Sequence, residues 1–507
     1  MHVRSFRSLV LTLGASSLAA VTLLACGSTA TEKATKDAGQ LTLNLPPTLT
    51  FDGGAKKDVA APDASKHDAS VDTGVVGVDA PAPPTDAELN TFPAFKPNVP
   101  QVQNGGGPVL SSPVFIPVIF AGDGFASQIT PFLDAIGQSA YWKGAVAEYG
   151  IGAGTAAPPI VLDETFPDSI DDSQLQTWLA NKVGLDPRFG ALGASVFDAG
   201  AFDAGSIDAS APLSPSIPAT AVAPAGAIYV LFLPNNTSVT LEGTASCVSG
   251  GFGGYHNSFY MPMPNGSTVV YATIPRCGAV GPSSAFQELT GTVSHELAEA
   301  STDPEVGAGG GGQGGHIAWG YLDTNHLFWG QVLGGEEVGD LCAQFPGAFY
   351  NPSEPAMSMY TVQRIWSNKA ASAGEDPCQP AQSLQAEPYY FNSVPKLAEV
   401  AAQEFGQNLT TLGVSVPVGS SSTIELDLFS NISTAGVGWN VSALDANALS
   451  GGAPDLTFSP GVVTGTNGDK LQLTVTNAGN DGRSVHPFII QSTSGVLQNW
   501  WIGVVTD

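Results

Sequence analysis

The run AIYVLFLP (residues 227–234) decides the fold class of this chain. It is a continuous apolar stretch of strand length, the pattern of a strand buried on both faces of a sheet. PVFIPVIFAG (113–122) and TVVYATIP (268–275) have the same character, and DDSQLQTWLANKVG (171–184) has the pattern of a capped helix. Strands that alternate with helices indicate an α/β or α+β domain, which we place at residues 107–384.

The pattern changes at residue 385. Short β-type runs separated by Gly, Asn, Ser and Asp occupy residues 385–507 at near-regular spacing, which predicts a β-sandwich of immunoglobulin or fibronectin type. The segment NGDK (467–470) is typical of a hairpin turn. His486 and the pair Trp500–Trp501 could line a ligand surface, but packing in the core is the favoured interpretation.

The charge of the chain excludes some partners. Seventeen basic and 45 acidic residues among 507 give a formal net charge of −28. Nucleic acids and anionic membrane surfaces attract basic faces, so neither is an expected partner of this surface. The charge is compatible with cation binding.

The N-terminus has the pattern of an exported lipoprotein. A basic start and an apolar run lead to LLAC, which ends at Cys26 and resembles a bacterial lipobox. We predict a signal peptide at residues 1–26, lipidation of Cys26, and a location at the bacterial cell envelope, with membrane contact only through this lipid anchor. The alternative is a cleaved signal with an incidental cysteine. Residues 27–106, rich in Ala, Asp and Pro, predict a disordered tether, and residues 196–219 predict a low-complexity insertion.

Four further cysteines predict two disulfides. Cys247, Cys277, Cys342 and Cys378 are an even number in an oxidising compartment, and three connectivities are available to them. We favour the pairing of sequence neighbours, Cys247 with Cys277 and Cys342 with Cys378. A zinc site made of these cysteines is disfavoured because none of them forms a CxxC pair.

The segment SHELAEASTDP (294–304) predicts a helix with one apolar and one polar side. At 100° per residue, His295 and Glu299 lie one turn apart on the polar side, with Glu296 between that side and the apolar stripe. Asp303 precedes a proline and should end the helix. The stripe consists of Phe286, Leu289, Val293, Leu297 and Ala300.

This helix matches the HExxH metal-binding pattern except at its last position. In HExxH, two residues at i and i+4 hold one metal ion while the glutamate between them is the general base. Glu299 replaces the second histidine and can still bind zinc through oxygen, which would leave Glu296 as the base. A carboxylate ligand lowers the net positive charge at the ion and favours Mn or Ca more than a second histidine would. The competing interpretation is a solvated helix face with one histidine and several acids.

Four blocks in order extend the pattern: SCVSGGFGGYHNSF (246–259), SHELAEASTDP (294–304), GGEEVGDLC (334–342) and YTVQRIWSN (360–368). Together they resemble a family of secreted bacterial HExxE-type metallopeptidases. They are also similar to the plant EXORDIUM (phosphate-induced protein) family, which has comparable CGFH, HELAE and EIGDLC blocks. The resemblance covers roughly residues 107–380, and it implies a zincin-like central domain.

The resemblance also implies a ligand set. His295 and Glu299 would bind the metal, Glu296 would be the general base, and a third ligand would come from EEVGDLC. Glu337 and Asp340 are equal candidates for that ligand.

Other residues have weaker implied roles. Asp303 is a less favoured third ligand, and the disulfide of Cys342 would anchor the ligand loop. His256 would be a transition-state donor or a fourth ligand, although a structural histidine is the more common outcome. We expect His316 and His326 to be exposed in loops and Trp366 to lie in the core.

These observations predict a lipid-anchored extracytoplasmic peptidase that uses zinc, or another divalent cation, to hydrolyse a peptide or protein substrate. The alternative is a cell-surface binding or signalling protein that keeps the fold and a structural metal but recognises its ligand without hydrolysis. A structural calcium site at the same acids is a third interpretation.

Overall fold

A computed structural model describes the chain over residues 91–190, 223–248, 251–261, 267–279, 283–307, 316–381, 390–404, 407–449, 452–479 and 482–507. The predicted signal peptide, Cys26, tether residues 27–90 and the insertion at residues 196–219 lie outside these stretches. None of the helices in the described stretches is long and apolar enough to cross a lipid bilayer.

The predicted end of the tether at residue 106 is wrong. Residues 102–104 form a strand that pairs antiparallel with residues 319–322, and both Val99 and Val102 are buried. The folded domain therefore begins before Gly107. The reason is that pairing with a distant strand supplies the hydrogen bonds and apolar contacts that this segment lacks locally.

The first domain mixes helices with short and long strands. Its strands are β1 (Val102–Asn104), β2 (Val114–Phe120), β3 (Thr155–Ala156), β4 (Ile160–Leu162), β5 (Ser169–Asp171), β6 (Ala227–Phe232), β7 (Ser238–Leu241), β8 (Thr244–Ala245), β9 (Tyr255–Tyr260), β10 (Thr268–Ile274), β11 (Trp319–Leu322), β12 (Phe349–Tyr350), β13 (Val362–Gln363), β14 (Ile365–Trp366) and β15 (Cys378–Gln379). Its α-helices are α1 (Ala126–Gln138), α2 (Ala140–Val146), α3 (Asp172–Leu185), α4 (Pro187–Gly190), α5 (Ala285–Thr302), α6 (Leu327–Leu333), α7 (Asp340–Ala343) and α8 (Asn368–Ala373), with 3₁₀ turns at Ala147–Tyr149 and Thr324–His326.

The central sheet has the strand order β3-β2-β6-β10-β9, and β4 also pairs with β2. All of these pairings are parallel except that of β9, which runs antiparallel to β10 at the edge of the sheet. The three apolar runs of the sequence are β2, β6 and β10, so their prediction as buried strands is confirmed. The mixed α/β character is confirmed with them.

Helices cover both faces of this sheet. Ile228, Val230 and Phe232 of β6 belong to one apolar cluster with α1 and α5, while Tyr229 and Leu231 belong to a second cluster with α3. This alternation is the two-residue period of a strand whose two faces are both buried. The polar side chains of β9 are divided between the two faces in the same way.

The second domain consists of β-strands in two sheets. They are β16 (Phe391–Pro395), β17 (Ala398–Glu404), β18 (Gln407–Ser415), β19 (Ser421–Ser430), β20 (Trp439–Asp445), β21 (Leu456–Ser459), β22 (Val463–Gly465), β23 (Lys470–Asn477), β24 (Val485–Ser494) and β25 (Leu497–Thr506), and one short helix, α9, spans Ala446–Leu449. The orders are β16-β19-β23-β21 and β17-β18-β25-β24-β20-β22. Aromatic rings join the sheets, with Phe391 and Trp439 at 5.1 Å and Phe458 and Phe488 at 5.7 Å between ring centroids.

A β-rich second domain is therefore confirmed, with one correction. The turn at NGDK joins β22 to β23, but these strands lie in different sheets, so the turn does not close a hairpin. His486 and the pair Trp500–Trp501 are buried, which agrees with their assignment to the core.

Direct contacts connect the two domains. The indole nitrogen of Trp329 in α6 donates a hydrogen bond to the carbonyl of Ile502 at 3.0 Å, and its ring packs on Trp501 at 5.5 Å. The hydroxyl of Thr411 donates to the carbonyl of Asn325 at 3.3 Å. The first domain is thus packed against the sheet that contains β25.

Both disulfides are present in the favoured pairing. Cys247 is bonded to Cys277, and Cys342 is bonded to Cys378. Cys342 lies in α7, two residues after Asp340, and the second bond ties this short helix to β15.

Candidate metal centre

Helix α5 is the longest helix in the described residues, and its ends are fixed by local sequence. Ser284 and Gln287 form a capping box, in which each side chain accepts a hydrogen bond from the backbone N–H of the other. The helix ends before Asp303, as the following proline predicts. These two signals place the HELAE segment in the last three turns of the helix.

The polar side of α5 is as deeply buried as its apolar stripe. His295 and Glu299 are 0% exposed and Glu296 is 1% exposed. The interpretation of this side as a solvated helix face is therefore wrong. Strand β9 and the segment before α7 cover it, and helix periodicity alone could not show that cover.

His295, Glu299 and Asp340 converge at one point. The Nε2 atom of His295 lies 3.0 Å from Glu299 Oε2 and 3.7 Å from Asp340 Oδ1. Two ligands that are 2.0–2.1 Å from a tetrahedral ion are separated by about 3.3 Å, so these spacings fit one shared ion. The three residues form one of the two groups in the described chain whose donor atoms all lie within 4.8 Å of one another.

The other nitrogen of His295 fixes the orientation of the ring. Nδ1 lies 2.8 Å from Gln363 Oε1, and an amide oxygen only accepts, so Nδ1 carries the proton and Nε2 presents its lone pair. Gln363 is held in turn by donation from its side-chain amide to the Gly339 carbonyl at 2.7 Å. Our sequence interpretation assigned no role to Gln363, although it lies in the YTVQRIWSN block.

The GDLC block packs against α5 through its glycine. Glu299 Oε1 accepts hydrogen bonds from the backbone N–H groups of Gly339 and Asp340, both at 3.1 Å. A Cβ atom on Gly339 would lie 2.7 Å from Glu299 Oε1 and 2.8 Å from His295 Nδ1. Only glycine permits this approach, so Oε1 is occupied by the backbone and Oε2 is directed to the ligand position.

His256 approaches the same helix from β9. Its Nδ1 atom lies 3.7 Å from Glu296 Oε2 and 3.6 Å from Glu299 Oε2. Its Nε2 atom lies 3.2 Å from the Asp303 carbonyl and 3.6 Å from Glu337 Oε1. His256, Glu296 and Glu299 form the second group of possible metal ligands. Of the two equal candidates for a third ligand, Asp340 therefore lies beside His295, and Glu337 lies behind the ring of His256.

Several buried polar atoms of this cluster have no hydrogen-bond partner among the described residues. They are His256 Nδ1, Glu296 Oε1, Glu299 Oε2, Asp303 Oδ2, and both carboxylate oxygens of Glu337 and of Asp340. An unsatisfied buried polar group costs about 1–3 kcal/mol, and more when it is charged. A bound cation would satisfy several of these atoms at once, so the donor set fits a metal ion.

The electrostatics of the cluster agree with that fit. Burial, reinforced by neighbouring carboxylates, raises the pKa of Glu337 and of Asp340 well above the usual range, and burial raises the pKa of Asp303 to about 6. Burial also acts to raise the pKa of Glu299, but the two histidines outweigh it and hold that pKa low. Burial lowers the pKa of His256, but Glu337, Glu296 and Glu299 outweigh it and raise that pKa. The acids therefore require protons or a cation to remain buried.

The remaining predicted histidines lie outside the cluster. His316 is 76% exposed in its side chain and contacts Glu305 at 3.1 Å, as predicted for a loop histidine. The prediction that His326 is exposed is wrong, because its ring is buried between Asp323 and the carbonyl of Asn98. Trp366 is buried, which confirms its assignment to the core.

A cleft of about 280 Å³ lies against the first half of α5, and its lining residues include none of the cluster itself. Gly124, Asn235 and Arg276, which follow the carboxyl ends of β2, β6 and β10, line one side. This is the edge where ligands bind in open α/β sheets. Glu288 and Thr292 of α5 line the other side, and the next residue along that side of the helix is Glu296.

Only the backbone of Gly253 and Gly254, just before β9, separates the cleft from Glu296. Gly253 lines the cleft, and a Cβ atom on the following Gly254 would lie 2.9 Å from Glu296 Oε1 and 2.5 Å from Thr292 Cγ2. The absence of a side chain at Gly254 lets α5 approach this segment closely. Glu296 is therefore the member of the cluster nearest to the cleft by its position on α5.

Another buried acid lies on the opposite face of the sheet, outside the cluster. Asp172, at the start of α3, accepts hydrogen bonds from the hydroxyls of Tyr255 and Tyr271, each at 2.6 Å, and from the amides of Asn257 at 3.2 Å and Gln176 at 2.8 Å. Tyr255 and Asn257 flank His256 on β9. Because strand side chains alternate, the clamp on these two residues directs His256 toward α5.

No protein-family model matches the chain, and no curated protein matches it. Among solved structures, 21% of the chain is similar to 55% of the periplasmic chaperone SfaE, at 9% identity and a TM-score of 0.15. A conjugative transposon lipoprotein from Bacteroides eggerthii is similar over its whole length to 24% of this chain, at 15% identity and a TM-score of 0.15. A chimeric titin Z1Z2 is similar over 95% of its length to 23% of this chain, at 17% identity and a TM-score of 0.14. The chain thus spans about half the length of the chaperone, and likenesses at these TM-scores carry no argument about function.

Proposed function

We propose that the chain is an extracytoplasmic zinc-dependent hydrolase of the peptidase type, with a zincin-like first domain, anchored to the membrane through Cys26. The observation that supports this most strongly is the convergence of His295 Nε2, Glu299 Oε2 and Asp340 Oδ1 at spacings of 3.0 and 3.7 Å. In this proposal these three residues hold the ion. A bound zinc ion supplies Lewis acidity toward a carbonyl oxygen.

Glu296 is the proposed general base. It lies on α5 one residue after the first ligand and three before the second, the position of the base in the HExxH pattern. Its Oε1 atom accepts no hydrogen bond among the described residues, and burial raises its pKa. A carboxylate with a raised pKa takes a proton from an attacking water more readily than an ordinary one.

The cleft supports a substrate of peptide size. Its volume of about 280 Å³ accommodates a short extended segment or one large side chain, and its lining combines apolar groups such as Phe125 and Leu289 with Arg276 and Glu288. Arg276 is held by Asp123 and donates to the Leu233 carbonyl at 3.1 Å, so it is a fixed polar group in this wall. Fixed polar groups in an apolar cleft orient a bound chain.

The burial of the cluster favours a second candidate function. Every ligand in the proposed set is at most 1% exposed, whereas a hydrolytic site must admit its substrate. A cell-surface binding protein would keep a buried cation to hold α5, β9 and α7 together and would use another surface for its ligand. The two functions differ in whether Glu296 is needed for a reaction.

The deciding experiment is digestion of a broad peptide library by the zinc-loaded full chain, with products identified by mass spectrometry. Cleavage by the wild type that is lost in Glu296→Gln, while the ion held by His295 is retained, is the result we expect. Glu375→Gln is the matched control, because it removes the same charge at an exposed position. If the zinc-loaded wild type cleaves no peptide, the hydrolase proposal fails and the binding protein is favoured.

A further inference from the structure

The cluster on α5 contains more ligand atoms than one ion can use. Five carboxylates (Glu296, Glu299, Asp303, Glu337 and Asp340) and two imidazoles are buried within a short distance of one another. Among the described residues, no lysine or arginine forms an ion pair with any of these five acids. With all five ionised, one divalent cation would leave three negative charges uncompensated in the interior, and two would leave one.

The geometry divides these atoms into two sets. His295, Glu299 and Asp340 form one set, and His256, Glu296 and Glu299 form the other. The two histidines share no set. Ligands of a single ion at metal–nitrogen distances near 2.1 Å are at most about 4.2 Å apart, so one ion would not bind both rings and retain the carboxylates of both sets.

The ring of His256 is oriented as a metal ligand in its own right. Nε2 faces the Asp303 carbonyl at 3.2 Å and Glu337 Oε1 at 3.6 Å, which are acceptors and place the proton on that nitrogen. In the neutral ring that metal binding requires, Nδ1 then presents the lone pair. Nδ1 has no hydrogen-bond partner among the described residues and lies 3.7 Å from Glu296 Oε2 and 3.6 Å from Glu299 Oε2. A carboxylate or carbonyl behind the ring is the usual support of a metal-binding histidine.

Glu299 belongs to both sets through a single oxygen. Oε1 is occupied by the N–H groups of Gly339 and Asp340, and Oε2 lies 3.0 Å from His295 Nε2 and 3.6 Å from His256 Nδ1. An oxygen bound to two ions at ordinary bond lengths keeps them about 3.5–4 Å apart, the separation of paired metal sites in hydrolytic enzymes.

We infer that the centre binds two divalent cations: His295 and Asp340 hold one, His256 and Glu296 hold the other, and Glu299 Oε2 bridges them. The inference rests on the proposed metal centre and adds a second ion to it. Glu296 would bind through Oε2, the oxygen that faces His256, while Oε1, on the side of Gly254, stays available to accept a proton. The carboxylate-rich sets suit Zn²⁺ or Mn²⁺.

Metal stoichiometry tests this inference on the full chain. After stripping with a chelator, titration with Zn²⁺ and elemental analysis should give two ions per chain for the wild type and one for His256→Ala. His295→Ala should also retain one ion, and Glu299→Ala should lose both. His316→Ala is the control, because this exposed histidine lies outside both sets, and it should retain two ions.

A measurement on the wild-type chain tests the same inference without variants, which could lose metal simply because they do not fold. Loading with Mn²⁺ should give the electron paramagnetic resonance spectrum of an exchange-coupled pair. The reason is that two ions less than about 4 Å apart, joined by a bridging oxygen, have coupled electron spins. One ion per chain at saturation, or a spectrum of isolated Mn²⁺ only, would overturn the inference. Cleavage that depends on Glu296 in a protein with a single ion would still support the proposed function, so the two failures are distinguishable.

Discussion

Buried carboxylates lie on both faces of the central sheet, one on the α3 face and a cluster on the α5 face, and strand β9 contributes to both sites. On the α3 face, Asp172 is surrounded by four donors from tyrosine and amide side chains. On the α5 face, Glu337 and Asp340 have carboxylate oxygens that accept no hydrogen bond among the described residues. Both faces bury carboxylates, but only Asp172 is surrounded by donors. On the α5 face, backbone N–H groups reach one oxygen each of Glu299 and Asp303 and leave the other acceptors named above without a donor.

The difference separates a structural carboxylate from a candidate ligand. A buried charge is tolerated when donors surround it and is expensive when they do not. On the α3 face the sequence provides donors at alternate positions of β9, whereas on the α5 face the same strand provides His256, whose Nδ1 faces two carboxylates. Burial alone therefore does not identify a candidate metal centre; converging carboxylate oxygens that lack donors do.

Removal of the proposed cations should have the largest effect on stability. Without them, the acids of the α5 face remain buried with no compensation, so the free energy of unfolding of the first domain should fall by about 3–5 kcal/mol. Calorimetry of chelator-treated and zinc-loaded protein should show this as a decrease in Tm of about 10 °C. The transition of the second domain is the internal control. Equal Tm values for metal-free and metal-loaded protein would contradict the view that the acids of the α5 face, unlike Asp172, need a cation.

Loss of Asp172, whose carboxylate is surrounded by hydrogen-bond donors, should lower the free energy of unfolding by less than removal of the proposed cations does. Asp172→Ala leaves two buried tyrosine hydroxyls without their acceptor, and we expect a destabilisation of about 3 kcal/mol in chemical denaturation. Asp171→Ala is the matched control, because this neighbour caps α3 from an exposed position and its loss should cost about 1 kcal/mol. Zinc binding by His295 should survive both changes; its loss in Asp172→Ala would mean that the two faces are not independent.

Substitution of Gln363 tests the support of the proposed metal centre without changing any of the proposed ligands. Gln363→Met removes the acceptor of His295 Nδ1–H, and removal of such a support lowers metal affinity by about 10- to 100-fold. Competition with a chromophoric chelator measures this affinity. Gln287→Ala serves as the control, since it weakens the cap of the same helix and should leave affinity unchanged. Unchanged affinity in Gln363→Met would show that the ring of His295 is held by packing.

The smallest effect concerns Glu288, a half-buried acid on the cleft side of α5. Burial raises its pKa, so the folded state favours the protonated form and stability is lost as pH rises from below its ordinary pKa through the raised value. Glutamine does not ionise, so the Glu288→Gln variant does not lose stability in this way as pH rises. It should match the wild type near pH 4 and exceed it at pH 7 by roughly a few tenths of a kcal/mol, because solvent screens a half-exposed group.

Thermal unfolding at the two pH values measures this difference. Glu375→Gln, which removes an exposed carboxylate, is the control for the loss of one negative charge. A Glu288→Gln variant that is less stable than the wild type at pH 7 would contradict the expected sign.

Much of the fold could be predicted because its signals are local. Apolar runs 113–122, 227–234 and 268–275 became β2, β6 and β10, since an apolar run of strand length without alternation fits a strand that is buried on both faces of a sheet. The antiparallel edge position of β9 and the pairing of β1 with β11 were not predictable, because each depends on residues far away in the chain. The turn at NGDK was misassigned for the same reason: local turn chemistry does not say which sheet the next strand joins.

The sequence by itself determined that His295 and Glu299 lie one turn apart, with Glu296 between them, because helix periodicity fixes the direction of each side chain. It also indicated the pairing of the four cysteines. Only the tertiary structure decided that the polar side of α5 is buried, that Asp340 rather than Glu337 lies beside His295, and that Gln363 and His256 complete the surroundings. The physical reason is that burial and convergence are long-range properties. Burial and convergence arise when β9, α5 and the GDLC segment pack together, so they cannot be predicted from the sequence of any one of these segments.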